Sequence, residues 1–270
     1  MSEAIAHLGL LEDEAIPLDE AALLLATLDH PQVDVDHYLD QIAEMAAELL
    51  ARAPRATLAR DRAEQLARLI HHQHGFAGDS SDYDNPAHAD LVSVIDRRRG
   101  LPVALAILYV AIARHVGWAA EPLNMPGHVL VRIGREPDAV IVDPFDGGAI
   151  LDGDGLARLV ARVVGSHATV EAEHLAPLGN RAVLVRLLSN QAARARRAGD
   201  LDRALALHER MTSFAPSFTG LWWERARLEQ LLGHARTARA SLGAMLETTR
   251  DPALRSRIRA ALDALARSIN

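Results

Sequence analysis

His128 and Asp143 are the residues of this chain best placed by type and spacing to do chemistry. His128 opens the apolar, β-branched run HVLVRI (128–133), and Asp143 closes the run AVIVD (139–143). Gly134-Arg135-Glu136-Pro137-Asp138 between them reads as a hairpin loop, so the two runs predict antiparallel strands. A symmetric loop that pairs 133 with 138 sets 131 opposite 140 and 128 opposite 143. His128 and Asp143 then face each other on one side of the sheet with Cβ atoms about 5 Å apart. A one-residue slip would separate them. An imidazole oriented by a carboxylate is a general base able to activate water or a substrate group. The same pair equally serves as a structural hydrogen bond around which a sheet packs. Arg132, on the strand face of His128, offers an anion a charge-assisted contact.

Arg97-Arg98-Arg99 leads into Gly100-Leu101-Pro102, and Pro102 fits the first position of a helix, where its missing N–H costs nothing. A three-arginine run is usually a solvated surface, but at a helix N-terminus it reinforces a positive field suited to an acidic peptide or carboxylate. Trp222 and Trp223, further on, are candidate partner contacts. His71, His72 and His74 do not predict a metal site. Adjacent histidines point different ways on a helix, and no i, i+4 pair or acidic third ligand stands beside them. Asp79, Asp82 and Asp84 fail the EF-hand spacing and read as turn chemistry. Gly147-Gly148 reads as a turn rather than a phosphate loop, and no cofactor is expected.

The elements that must position these groups follow from periodicity. Residues 1–75 read as helices: one starts after Pro17 with Leu23, Leu24, Leu25 and Leu28, a second runs from Tyr38 to Leu50, and a third from Thr57 to His71. His74 to Asp90 is rich in Gly, Asp, Ser, Asn and Pro and reads as a long ordered loop. The helix after Pro102, VALAILYVAIARHVG, is apolar on all faces as far as Arg114, so it belongs in the middle of a domain. In the last 90 residues the chain matches itself at a spacing of 34, at Leu187/Leu221, Ala192/Ala226, Gly199/Gly233, Ala204/Ala238, Ala206/Ala240 and Met211/Met245. Small residues recurring at that period mark the tetratricopeptide repeat. The second copy has Pro252 instead of a proline at 250, and residues 251–268 read as a capping amphipathic helix.

Composition removes whole classes of mechanism. The chain of 270 residues holds no cysteine, and its 29 basic residues are all arginine. Disulfides, thiolate metal sites and thiolate nucleophiles are therefore excluded, as are Schiff-base chemistry and a Walker-type lysine. The net charge of −7 argues against generic nucleic-acid binding. The first 180 residues carry 13 arginines against 28 acids, net −15, and the last 90 carry 16 against 8, net +8. Such halves predict two units of different character that charge would help to dock. MSEAIAHLGLLEDE lacks a signal-peptide pattern, and the longest apolar run, Leu101 to Ala113, is too short for a bilayer. A cytoplasmic protein without membrane contact is the expectation.

Gly100-Leu101-Pro102 at a helix start, His128 opening one strand and Asp143 closing the next resemble the transglutaminase-like (papain-like) core. There a Gly-x-Cys opens a buried helix, whose N-terminus lowers the thiol pKa; the His accepts its proton and the Asp fixes the His tautomer. Counted back from Gly117, the cysteine position falls on Pro102. Over nearly the whole chain the resemblance is to the bacterial SirB-like family, transglutaminase-like with a C-terminal tetratricopeptide tail. The residues that carry it are His74-Gly75-Phe76, the block from Asp96 to Ala106, Pro126-Gly127-His128-Val129-Leu130-Val131-Arg132, and Asp143-Pro144-Phe145-Asp146-Gly147-Gly148.

The expected fold is α+β: N-terminal helices (1–75) on a transglutaminase-like core with an antiparallel sheet (76–180), then an all-α tail of two repeats and a cap (181–270). The expected function is non-catalytic, a protein- or peptide-binding scaffold working through the cleft or the tail. Arg97, Arg98, Arg99, Arg132, Trp222 and Trp223 are its candidate contacts, and Pro102, His128 and Asp143 are its vestigial triad positions. The alternative is a cysteine-independent hydrolase with His128 as general base and Asp143 orienting it.

Overall fold

The computed structural model describes residues 3–53, 56–165 and 167–268. Helices α1 (Glu3–Leu8), α2 (Leu18–Ala26), α3 (Val35–Arg52) and α4 (Ala59–Ala67) come first, and a π-helical stretch, Arg68–Gln73, follows α4. Strand β1 (Ala77–Gly78), helix α5 (Leu91–Arg97), strand β2 (Arg99–Gly100) and helix α6 (Pro102–His115) come next. Strands β3 (Ala120–Leu123), β4 (Leu130–Ile133), β5 (Val140–Asp143) and β6 (Ala149–Leu151) lead into α7 (Gly153–Val163). The remainder is helical: α8 (Asn180–Arg197), α9 (Leu201–Phe214), α10 (Thr219–Leu231), α11 (Ala235–Thr248) and α12 (Pro252–Ser268). Residues 13–187 form one compact unit, and residues 1–12 with 188–270 form another. An α+β unit with a small antiparallel sheet, joined to a helical tail, is the expected architecture.

In the first unit α6 is the central element. Every residue from Pro102 to Ala113 is buried, because a stretch without a polar face has no side to give to water. Leu101 caps its start in an extended conformation and donates its backbone N–H to the His88 carbonyl at 2.7 Å. Helix α3 buries only the stripe Ile42, Met45, Ala46 and Leu49, and the side chain of Asp34 accepts from the Asp36 N–H at its start. The expected helix 57–71 is α over Ala59–Ala67 and widens to π from Arg68. There His74 N–H reaches back to the Leu69 carbonyl, and consecutive Leu69 and Ile70 are both buried.

The four-stranded sheet has the order β3-β4-β5-β6, antiparallel throughout, and β1 pairs with β2 in parallel. Its register corrects the hairpin expected from the sequence. Val131 pairs with Val142 and Ile133 with Val140, two residues away from the expected 131–140 and 133–138 pairs. The backbone N–H of Asp138 donates to the Arg135 carbonyl at 3.1 Å within the loop instead of pairing across the strands, and its carboxylate accepts the backbone N–H of Ala59 at 2.8 Å, at the start of α4. That serves a helix terminus whose first N–H groups have no partner of their own. The loop is lengthened as a result, and Gly134 (φ 89) turns out of β4 directly after Ile133. A shift of two keeps each residue on its face, whereas a shift of one would not.

In the second unit the repeat is visible as geometry. Helices α9 and α11 have 14 residues each and start 34 positions apart. Gly199 (φ 80) and Gly233 (φ 77) make the same left-handed turn before them. Ala192, Ala226, Ala204, Ala238, Met211 and Met245 are all buried, so these three matched pairs lie in the helix packing. In α12, Ile258 and Leu265 are buried and Leu254 and Leu262 pack beside them against Ala226, Ala238 and Met245. Helix α1 lies in this unit against α9, where Gly9 approaches so closely that a Cβ would stand 2.8 Å from the Ser213 carbonyl oxygen.

Candidate functional site

His128 lies one turn ahead of β4. Gly127 (φ 66) turns the chain, and the His128 N–H donates to the Met125 carbonyl at 3.2 Å. From there Nε2 reaches Asp143 Oδ1 at 2.8 Å, although the two residues are not the facing strand pair that symmetric pairing predicts. Both are buried, His128 at 6% exposure and Asp143 at 2%. The same Oδ1 also accepts the backbone N–H of Phe145 at 3.0 Å, so Asp143 ties the histidine to the start of the β5–β6 turn. Pro102, at the cysteine position, is buried in the first turn of α6 and brings no donor or nucleophile.

Phe145 organises the surroundings. Its ring stands edge-on to His128, with centroids 5.8 Å apart, and edge-on to Tyr83 at 6.0 Å. Its carbonyl accepts the Gly78 N–H at 3.2 Å. A Cβ on Gly78 would stand 2.4 to 2.6 Å from the Phe145 ring, so only glycine lets β1 lie under it. His71 closes the other side: Nδ1 bonds to the Phe76 carbonyl at 2.9 Å, and a Cβ on Gly147 would meet the imidazole at 2.9 Å. The Gly147-Gly148 turn is thus pressed onto the π-helical stretch. Tyr109 of α6 lies beneath, its buried hydroxyl without a partner. Burial, and secondarily the charge of Asp143, holds that phenol well above its ordinary pKa.

Arg186, on α8 within the first unit, holds the turn that carries His128. Its guanidinium donates to the carbonyls of Met125 at 2.6 Å and His128 at 2.7 Å, and to Asn124 Oδ1 at 2.9 Å. Burial lowers its pKa and the nearby Tyr83 partly opposes that. Nothing local to 124–128 announces a clamp 58 residues away, and the blocks that resemble the family did not single out Tyr83, Tyr109 or Arg186.

The arginine candidates separate. Arg97 is exposed at the end of α5. Arg98 caps that helix in the left-handed region (φ 58), with its guanidinium 4.5 Å from the Phe76 ring centroid, and burial lowers its pKa. Arg99 is exposed and donates to the Gly75 carbonyl at 3.0 Å. Arg132 donates through Nε to Glu121, its cross-strand neighbour, at 2.7 Å. In the second unit the Trp222 N–H donates to the Pro216 carbonyl at 2.8 Å, and both Trp222 and Trp223 pack on the α10–α11–α12 core. An arginine lies over each ring, Arg225 at 5.6 Å and Arg257 at 5.5 Å. His74 bonds to Glu48 at 3.3 Å, and Asp79 accepts from Ser81 within its own turn.

A buried helix start, a histidine ahead of one strand and an aspartate at the end of the next, followed by paired helices of period 34, define a transglutaminase-like core carrying tetratricopeptide repeats. Residues 36–189 match the model of the transglutaminase-like superfamily, and residues 191–263 match a tetratricopeptide-repeat model. The chain belongs to the transglutaminase-like superfamily and bears a tetratricopeptide tail. It is similar to the UPF0162 protein of Xylella fastidiosa (strain 9a5c), 28% identical over 243 residues, which cover 89% of this chain and 86% of that one. The UPF0162 protein of Pseudomonas aeruginosa is 28% identical over 261 residues, 97% of this chain and 95% of its own. Human F-box only protein 21 is 29% identical over 144 residues, 52% of this chain but 22% of its own. The bacterial relatives carry the UPF0162 label rather than the SirB-like one. A transglutaminase-like domain followed by tetratricopeptide repeats points to a protein-interaction module. Among the described residues no helix is long and apolar enough to cross a membrane.

Proposed function

We propose that this chain is a non-catalytic member of its superfamily that binds a protein or peptide partner as a scaffold. The observation that carries the reading is the first turn of α6, where Pro102 occupies the nucleophile position in a chain without cysteine. His128 supports it too, since its ring is buried. The partner surface of the first unit centres on Tyr83, 40% exposed and edge-on to Phe145. Arg97 and Arg99 add exposed positive charge for an acidic segment, while Arg98 and Arg132 are engaged with Phe76 and Glu121. The hydrolytic alternative draws on the 2.8 Å His128–Asp143 bond, which orients an imidazole as a general base needs.

The test uses the full chain with a photo-crosslinking residue at position 83, and the same residue at exposed Glu44 as control. A discrete partner captured through position 83 alone is expected. A panel of peptide and amide substrates run with wild type and His128→Ala should give equal, background rates. Turnover by wild type that His128→Ala abolishes would overturn the non-catalytic reading.

A further inference from the structure

We draw no further inference here: the strongest candidate, the cavity of about 310 Å3 between the start of α2 and the end of α6, has its inner polar groups already bonded, Asp19 to His115 at 2.7 Å and Arg114 to the Ala120 carbonyl and Asn180, and nothing in the structure shows what fills it.

Discussion

One unit buries His128 and the other half-buries His208, and the chain treats the two in opposite ways. His128 has a carboxylate at 2.8 Å, which also takes a backbone N–H, and an arginine bonded to its own carbonyl. His208 has a buried Nδ1 without a hydrogen-bond partner. A satisfied buried polar cluster fixes a single arrangement, while a buried atom left without a partner costs stability. The difference teaches that residues resembling a catalytic pattern can be the rigid part of a molecule, while a histidine in a repeat can keep a buried nitrogen unsatisfied.

Breaking the satisfied cluster should have the largest effect. Asp143→Ala leaves the His128 ring and the Phe145 N–H without their acceptor in a buried site, at a cost of about 3 kcal/mol. The check is the urea dependence of Tyr109 and Phe145 side-chain signals by NMR, which report the first unit; a loss below about 1 kcal/mol would show that the pair is dispensable. Arg186→Ala comes next. It removes charge-assisted bonds to two carbonyls and an amide, about 2 kcal/mol, and should free the 124–128 turn. Faster amide exchange confined to that turn and β4 is the expected signature, with unchanged exchange there as the contrary result.

The smallest effect sharpens the other side of the comparison. Burial lowers the His208 pKa from its ordinary 6.5, Arg196 and Arg225 push the same way, and Glu224 and the Leu221 backbone oppose them. The unfolded chain therefore binds the proton more readily than the folded one. The repeat unit should lose stability as pH falls below about 6.5 and keep it above. Amide exchange of α9 measured at pH 5.5 and 7.5, corrected for intrinsic rates, should show a difference that His208→Gln reduces. An identical pH dependence in the variant would remove His208 from the account.

What could be read from the sequence was whatever repeats or persists locally. The unbroken apolar stretch after Pro102 and the 34-residue offset needed no distant partner to be recognised, and α6, α9 and α11 lie where periodicity predicts. The His128–Asp143 contact was also legible, but its register was not. The loop that sets the register turns the Asp138 N–H back to the Arg135 carbonyl while its carboxylate bonds to Ala59, 79 positions away, and neither bond is marked in the hairpin's sequence. Arg186 escaped for the same reason, and Phe145 was visible only as part of a family-like block. The role of its ring depends on a glycine, Gly78, brought beneath it by a two-residue strand. His208 carried no signal at all, since a buried nitrogen left without a partner is a property of packing and not of spacing.

The uninterrupted burial of α6 also sets how the first unit breathes. From the end of its first turn the helix has amides bonded within itself and sheathed by side chains on every side as far as Ala113, so fraying at one edge exposes none of them. Their protons can reach solvent only when the unit opens as a whole, which makes these amides the slowest in it to take up deuterium. The rate at which they do so is a direct reading of that unit's global stability, taken under native conditions without denaturant.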